Sequence, residues 1–164
     1  MPEHTLRASL FVPRARTEVF PFFADAANLE RITPPELSFR IDTPQPIAMH
    51  RGALIDYTIR LHGLSMHWRT LISVWNPPHE FVDEQLDGPY TTWVHRHTFH
   101  AKARGTLIED EVRYRLPFGW LAEIVHPFVQ RQLAGIFAHR QAEVARRLLS
   151  AGAAQAEIGR ITFD

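Results

Sequence analysis

Between residues 55 and 116 apolar side chains recur at every second position in five successive segments, and beyond Pro127 the period lengthens to that of a helix. Period two is the mark of a half-buried strand, and short connections between such strands make an antiparallel meander with one wet face. Ile55, Tyr57, Ile59 and Leu61 alternate with Asp56, Thr58, Arg60 and His62. Met66, Trp68, Thr70, Ile72 and Val74 repeat the pattern, and Asn76-Pro77-Pro78 closes it. Further strands are expected over 81–86, 91–101 and 106–116, turned by Asp87-Gly88-Pro89-Tyr90 and by residues 102–105. A weaker strand is expected from about Leu37, and a first strand over 5–12 ends at Pro13, giving seven.

Helical composition marks 14–23, with Pro21 in its first turn or kinking it, and 26–32 behind a cap at Asp25. The last helix is expected from Pro127 to about Leu149, with a stripe of Phe128, Leu133, Ile136, Phe137, Val144 and Leu148 opposed by Arg131, Arg140, Glu143 and Arg147. Its length is roughly 33 Å at 1.5 Å per residue, enough to cross a curved sheet. Arg140, midway along the helix, could reach a carboxylate in the cavity or point to solvent, and residue-type statistics favour solvent. Glu143 and Arg147 are spaced as a surface pair. The order strand, two short helices, six strands, long helix defines an α+β fold over residues 1–149, with a tail from 150 to 164 expected to fray. One helix is too thin to fill the hollow of a strongly bent sheet, so a cavity for a small, largely apolar molecule should remain.

Composition removes several function classes. Lys+Arg and Asp+Glu are 18 each, which denies nucleic acid the cationic excess it needs. No apolar run exceeds three residues, too short for a membrane span or a secretory signal core. Cysteine is absent, which excludes disulfides, thiol nucleophiles and four-cysteine zinc sites, and a cytoplasmic location fits. Gly52 and Gly63 match no phosphate-binding motif and no serine sits in a nucleophile elbow, so neither a metal nor an organic cofactor is expected.

The inner face is polar in one place. Alternation puts Trp93, His95, His97 and Phe99 on one side of their strand and Asp110, Val112 and Tyr114 on the facing side of the next. Hairpin pairing then sets His97 opposite Asp110 and Trp93 opposite Tyr114, while a one-residue slip would expose the whole apolar face. Asp83 and Gln85 join this wall from the preceding strand. A His–Asp pair of this kind can satisfy itself, orient a ligand, or work as an acid–base couple. Chelation through His-x-His needs a facial arrangement that spacing alone does not establish. Trp68, Trp93, Phe99, Tyr114, Phe128 and Phe137 are the expected apolar lining.

Phe11-Val12-Pro13, Glu18-Val19-Phe20, Phe22-Phe23-Ala24-Asp25 and Ile32-Thr33-Pro34 resemble the opening of SRPBCC (START/polyketide cyclase-like) domains. The run Phe81-x-Asp83-x-Gln85-x-x-Gly88-Pro89-Tyr90-x-x-Trp93-x-His95-x-His97-x-Phe99 is similar to a bacterial ligand-binding subgroup of that superfamily. Asp110-x-Val112-x-Tyr114, Pro117-x-Gly119 and Ile136-Phe137-x-x-Arg140 extend the likeness across residues 4–149. The resemblance implies the helix-grip fold, a seven-stranded sheet wrapped around a C-terminal helix with a deep cavity. It implies binding of a lipid, isoprenoid or polyketide-like molecule, by a monomer or homodimer. Two alternatives stay open: a cyclase or dehydratase using His95 or His97 with Asp110 and Tyr114, and a regulator that binds another protein.

Overall fold

Each long strand buries one face and wets the other, and the buried faces meet the C-terminal helix. The computed structural model describes residues 2–149 and 155–164. β1 (His4–Val12) leads into α1 (Arg16–Ala24) and α2 (Ala27–Arg31), then a single 3-10 turn and the two-residue β2 (Arg40–Ile41). The meander follows as β3 (Leu54–Leu61), β4 (Leu64–Asn76), β5 (Glu80–Asp87), β6 (Thr92–Lys102) and β7 (Gly105–Arg115). α3 (Ala122–Leu148), β8 (Glu157–Ile158) and β9 (Thr162–Phe163) complete the chain. The sheet runs β2-β3-β4-β5-β6-β7-β1-β8, with β9 also on β1. Every pairing is antiparallel. This is the helix-grip architecture, with nine strands among the described residues instead of seven. Among the described residues no helix is long and apolar enough to cross a membrane.

The two added strands lie in the tail expected to fray; residues 150–154 fall outside the described residues. β1 would otherwise present an open edge of backbone donors and acceptors. The tail covers it: Gly159 N–H donates to Ser9 O at 2.8 Å, and Thr5 and Asp164 exchange backbone hydrogen bonds at 3.1 and 2.9 Å. The Gln141 amide on α3 donates to Ser9 O (2.8 Å) and Gly159 O (3.3 Å), tying tail, strand and helix together. Position 159 has to be glycine, because a Cβ there would collide with the Ser9 side chain and carbonyl.

α3 starts five residues ahead of Pro127, since Ala122 and His126 already bury against the sheet. Pro127 removes one helical bond near the N-terminus, and Leu133, Phe137, Gln141 and Val144 hold the helix by burial further along. Phe128 is 58% exposed and does not belong to that stripe. It stands five residues before Leu133, about 140° around the helix at 3.6 residues per turn. Arg140 stands seven residues after Leu133, only about 20° off the buried line, and it faces inward. The expected pair of Glu143 with Arg147 forms at 3.3 Å, joined by Arg146 at 2.9 Å. At the start of α2 the Asp25 carboxylate accepts from Ala27 N–H at 3.0 Å, as a cap there should.

Candidate functional site

Between the sheet, α2 and α3 lies a cavity of about 180 Å³, walled by Tyr57, Trp68, Ile72, Trp93 and Phe137 with charged groups at one end. A water occupies roughly 30 Å³ in the liquid, so the space is several times larger than one water needs. Of the eleven residues expected to meet a ligand, Trp68, Asp83, Trp93, His95, His97 and Phe137 line it. The other five do not. Phe99 points inward but is consumed by Phe20, Phe23 and Phe81 in a second apolar cluster. Tyr114 is fully buried beneath Trp93, its hydroxyl bonded to His126 Nε2 at 2.9 Å, with burial pushing the phenol up to about 12. Gln85 clamps its own turn, donating to Tyr90 O (2.6 Å) and accepting from Tyr90 N–H (3.2 Å). Asp110 stands behind the two histidines, and Phe128 faces solvent.

The charged end follows from register. β6 sets His97 opposite Asp110 and Trp93 opposite Tyr114, as the hairpin reasoning requires, and β5 sets Asp83 opposite His95. His97 Nε2 donates to Asp83 Oδ2 at 2.6 Å and its Nδ1 lies 3.1 Å from Asp110 Oδ1. His95 Nε2 donates to the same Asp110 oxygen at 2.7 Å, and its Nδ1 lies 3.7 Å from Asp83 Oδ2. The two imidazoles are 3.6 Å apart between centroids, and Phe81 stacks flat on His97 at 4.1 Å. Arg140 completes the group, with Nη2 3.5 Å from His97 Nδ1 and its guanidinium 5.7 Å from the centre of the Phe23 ring.

Burial disfavours every charge here, and the partners decide which survive. For His97 burial pulls down, but hydrogen bonds to Asp110 and Asp83 outweigh it and the imidazolium is held above its ordinary range. His95 falls below its ordinary value through burial and through the neighbouring His97. Burial would raise Asp110, yet Arg140 and the two histidines hold it well below the usual carboxylate range. Asp83 is likewise lowered against its burial, by His95, His97 and Arg140. The centre therefore gathers two carboxylates, held ionised against their burial, with the cationic Arg140 and two imidazoles whose titration is pushed in opposite directions.

Sequence reading ranked the inward placement of Arg140 second to solvent, though its spacing of seven from Leu133 and three from Phe137 points inward. Trp68 and Arg140 line the cavity, and their Nε1 and Nε atoms are buried with no hydrogen-bond partner among the described residues. An unpaired buried donor costs about 1–3 kcal/mol until an acceptor arrives.

A family described as polyketide cyclase / dehydrase and lipid transport matches residues 12–141. No curated protein matches the sequence. Among solved structures, the chain is similar to TTHA0849 from Thermus thermophilus (16% identity, TM-score 0.67, covering 93% of this chain and all of that one). It is also similar to a norcoclaurine synthase of Thalictrum (12% identity, TM-score 0.68, 93% and 98% covered). A nucleoside-diphosphate sugar epimerase from Corynebacterium glutamicum shares 27% identity over 87% of this chain, with TM-score 0.63. The match there spans only 28% of that longer protein. The residues matched make up most of the sequence, and the chain belongs to the polyketide cyclase / dehydrase and lipid transport family, within the SRPBCC superfamily.

Proposed function

We propose that the protein binds one small, largely apolar molecule in the cavity, with a polar end of that molecule toward the charged group of Asp83, His95, His97 and Arg140. The observation that carries this is an aromatic-walled space of about 180 Å³ with the charged groups of Asp83, His95, His97 and Arg140 gathered at one end. Apolar walls with a few convergent polar atoms are the make-up of a small-molecule site. A lipid, isoprenoid or polyketide-like compound has the required chemistry.

The test is equilibrium titration with an environment-sensitive naphthalene sulfonate dye, read by dye emission and tryptophan quenching. The expected result is saturable one-to-one binding, abolished in Ile136→Trp, which fills the cavity from α3. Dye binding that survives Ile136→Trp unchanged would place the dye elsewhere and remove the support for this reading.

A second reading is favoured by one feature, His95 lining the cavity with its titration pushed below the ordinary value by burial and by His97. Asp110 holds its Nε2–H and so fixes the tautomer with Nδ1 as the unprotonated nitrogen. An imidazole oriented in this way is a general base of the kind a cyclase or dehydratase requires. His95→Gln would leave dye affinity within a few fold and abolish turnover of an enolisable substrate if that reading holds. Turnover unchanged in His95→Gln would dismiss it.

A further inference from the structure

The two histidines and Asp83 are arranged in a way that ligand binding alone does not require. Each imidazole directs one nitrogen toward Asp83 Oδ2, His97 Nε2 at 2.6 Å and His95 Nδ1 at 3.7 Å. Each turns its other nitrogen to one shared oxygen, Asp110 Oδ1, at 3.1 Å and 2.7 Å. One ligand atom from each of Asp83, His95 and His97 thus falls within 4.8 Å of the others. A metal-binding histidine nearly always gives its second ring nitrogen to a carboxylate or carbonyl, which fixes the tautomer and raises its basicity. Here one carboxylate serves both rings from behind. The three donors in front line the cavity, whereas Asp110 does not.

We infer that Asp83 Oδ2, His95 Nδ1 and His97 Nε2 form a binding site for a divalent first-row transition-metal ion, with Asp110 as the positioning residue behind both rings. Two imidazoles and one carboxylate suit zinc, iron(II), cobalt or manganese, and the lack of sulfur disfavours copper(I). The shared face leaves coordination positions open toward the cavity, where an oxygen of a bound molecule or a water would complete the shell. Ion entry releases the His97 Nε2 proton to solvent and needs two small movements. The Asp83–His97 contact opens from 2.6 Å to about 3.0–3.4 Å, the separation of two donors each roughly 2.1 Å from a metal. The rings fan apart from their 3.6 Å approach. Both are side-chain rotations on adjacent strands, with no change of register.

This inference stands apart from the reading of the cavity as an apolar site. A second group with ligating side chains, His4, Glu123 and His126, lies at the start of α3. Its Glu123 side chain is 55% exposed, and Tyr114 already occupies His126 Nε2. It serves as the internal control.

The experiment titrates Co2+ into the full chain after dialysis against a chelator, at neutral pH, followed by visible absorption. The expected result is one-to-one saturation at micromolar cobalt, with d–d bands of a four- or five-coordinate ion. Asp83→Asn should weaken uptake at least about 100-fold. Asp110→Asn should weaken it about 10–100-fold with band positions retained, the mark of a positioning role. Glu123→Ala should leave it unchanged. Wild-type protein that shows no saturable bands up to millimolar cobalt overturns the site, and this reading needs no variant to fold. Uptake lost in Glu123→Ala and kept in a folded Asp83→Asn overturns it equally. Dye binding measured on the chelated protein keeps the two ideas separate: cobalt failing while dye binds removes the metal site and leaves the cavity reading intact, and the reverse result does the opposite.

Discussion

Replacing Asp110 by Asn tests whether the buried centre is held by charge closure. The substitution keeps an oxygen where both ring N–H groups reach it, at 2.7 and 3.1 Å, and removes only the negative charge. Two charge-assisted hydrogen bonds become neutral ones, a loss of about 1 kcal/mol each. The His97 imidazolium and Arg140 then face Asp83 alone, and breaking a buried pair costs about 3–5 kcal/mol when nothing relaxes. We expect about 3 kcal/mol for Asp110→Asn, or roughly 6–12 °C in Tm for a domain of this size. Arg140→Gln removes the opposing cation, which sits near both carboxylates without a direct ion pair, and should cost about 1–2 kcal/mol. The double variant restores the balance of charge. Its cost should fall short of the sum of the single variants by about 1–2 kcal/mol, within the range seen for coupled buried groups. The assay is urea unfolding of all four proteins after chelation, in one buffer. Additivity to within about 0.5 kcal/mol would refute the reasoning, because independent sites add to that precision.

Three further outcomes follow from the same structure. Phe128→Ser should change stability by no more than about 0.5 kcal/mol, whereas Phe137→Ala should cost about 3 kcal/mol, the low end for a buried Phe because one side of the ring already faces a cavity; paired thermal melts check both. Gln141→Ala leaves the Ser9 and Gly159 carbonyls without their side-chain donor, so the tail should be cleaved by a nonspecific protease faster than in the wild type, at a cost of about 1–2 kcal/mol. His67 is raised above its ordinary value by hydrogen bonds to Asp87 and then Asp56. Its contribution to stability is fully present below about pH 6.5, the unfolded value, and is lost as pH rises through the folded midpoint; an NMR titration should place that midpoint above the ordinary one, and Asp87→Asn should bring it down.

The sheet was legible because alternation over five long segments admits one inward face, and the facing of His97 with Asp110 follows once that face is assigned. Asp83 was reachable by the same alternation. Phe128 was misassigned, and Arg140 weighed toward solvent over the cavity, for a shared reason: residue type was weighed above angular position on a helix whose start was placed too late. The tail escaped because two-residue strands carry no period, and what orders them is the open edge of β1, a property of the assembled sheet. Phe99 and Tyr114 point inward as expected, but only packing decides whether an inward side chain meets empty space or another side chain. Here Phe20 and Phe23 fill the space beside one, and His126 that beside the other.

The most direct measurement is native mass spectrometry of the protein isolated gently from its own host. The account predicts a population carrying one apolar small molecule, released by organic solvent and absent from Ile136→Trp prepared in the same way. A bare mass under every gentle condition, from protein that also fails to take up the dye, would contradict it.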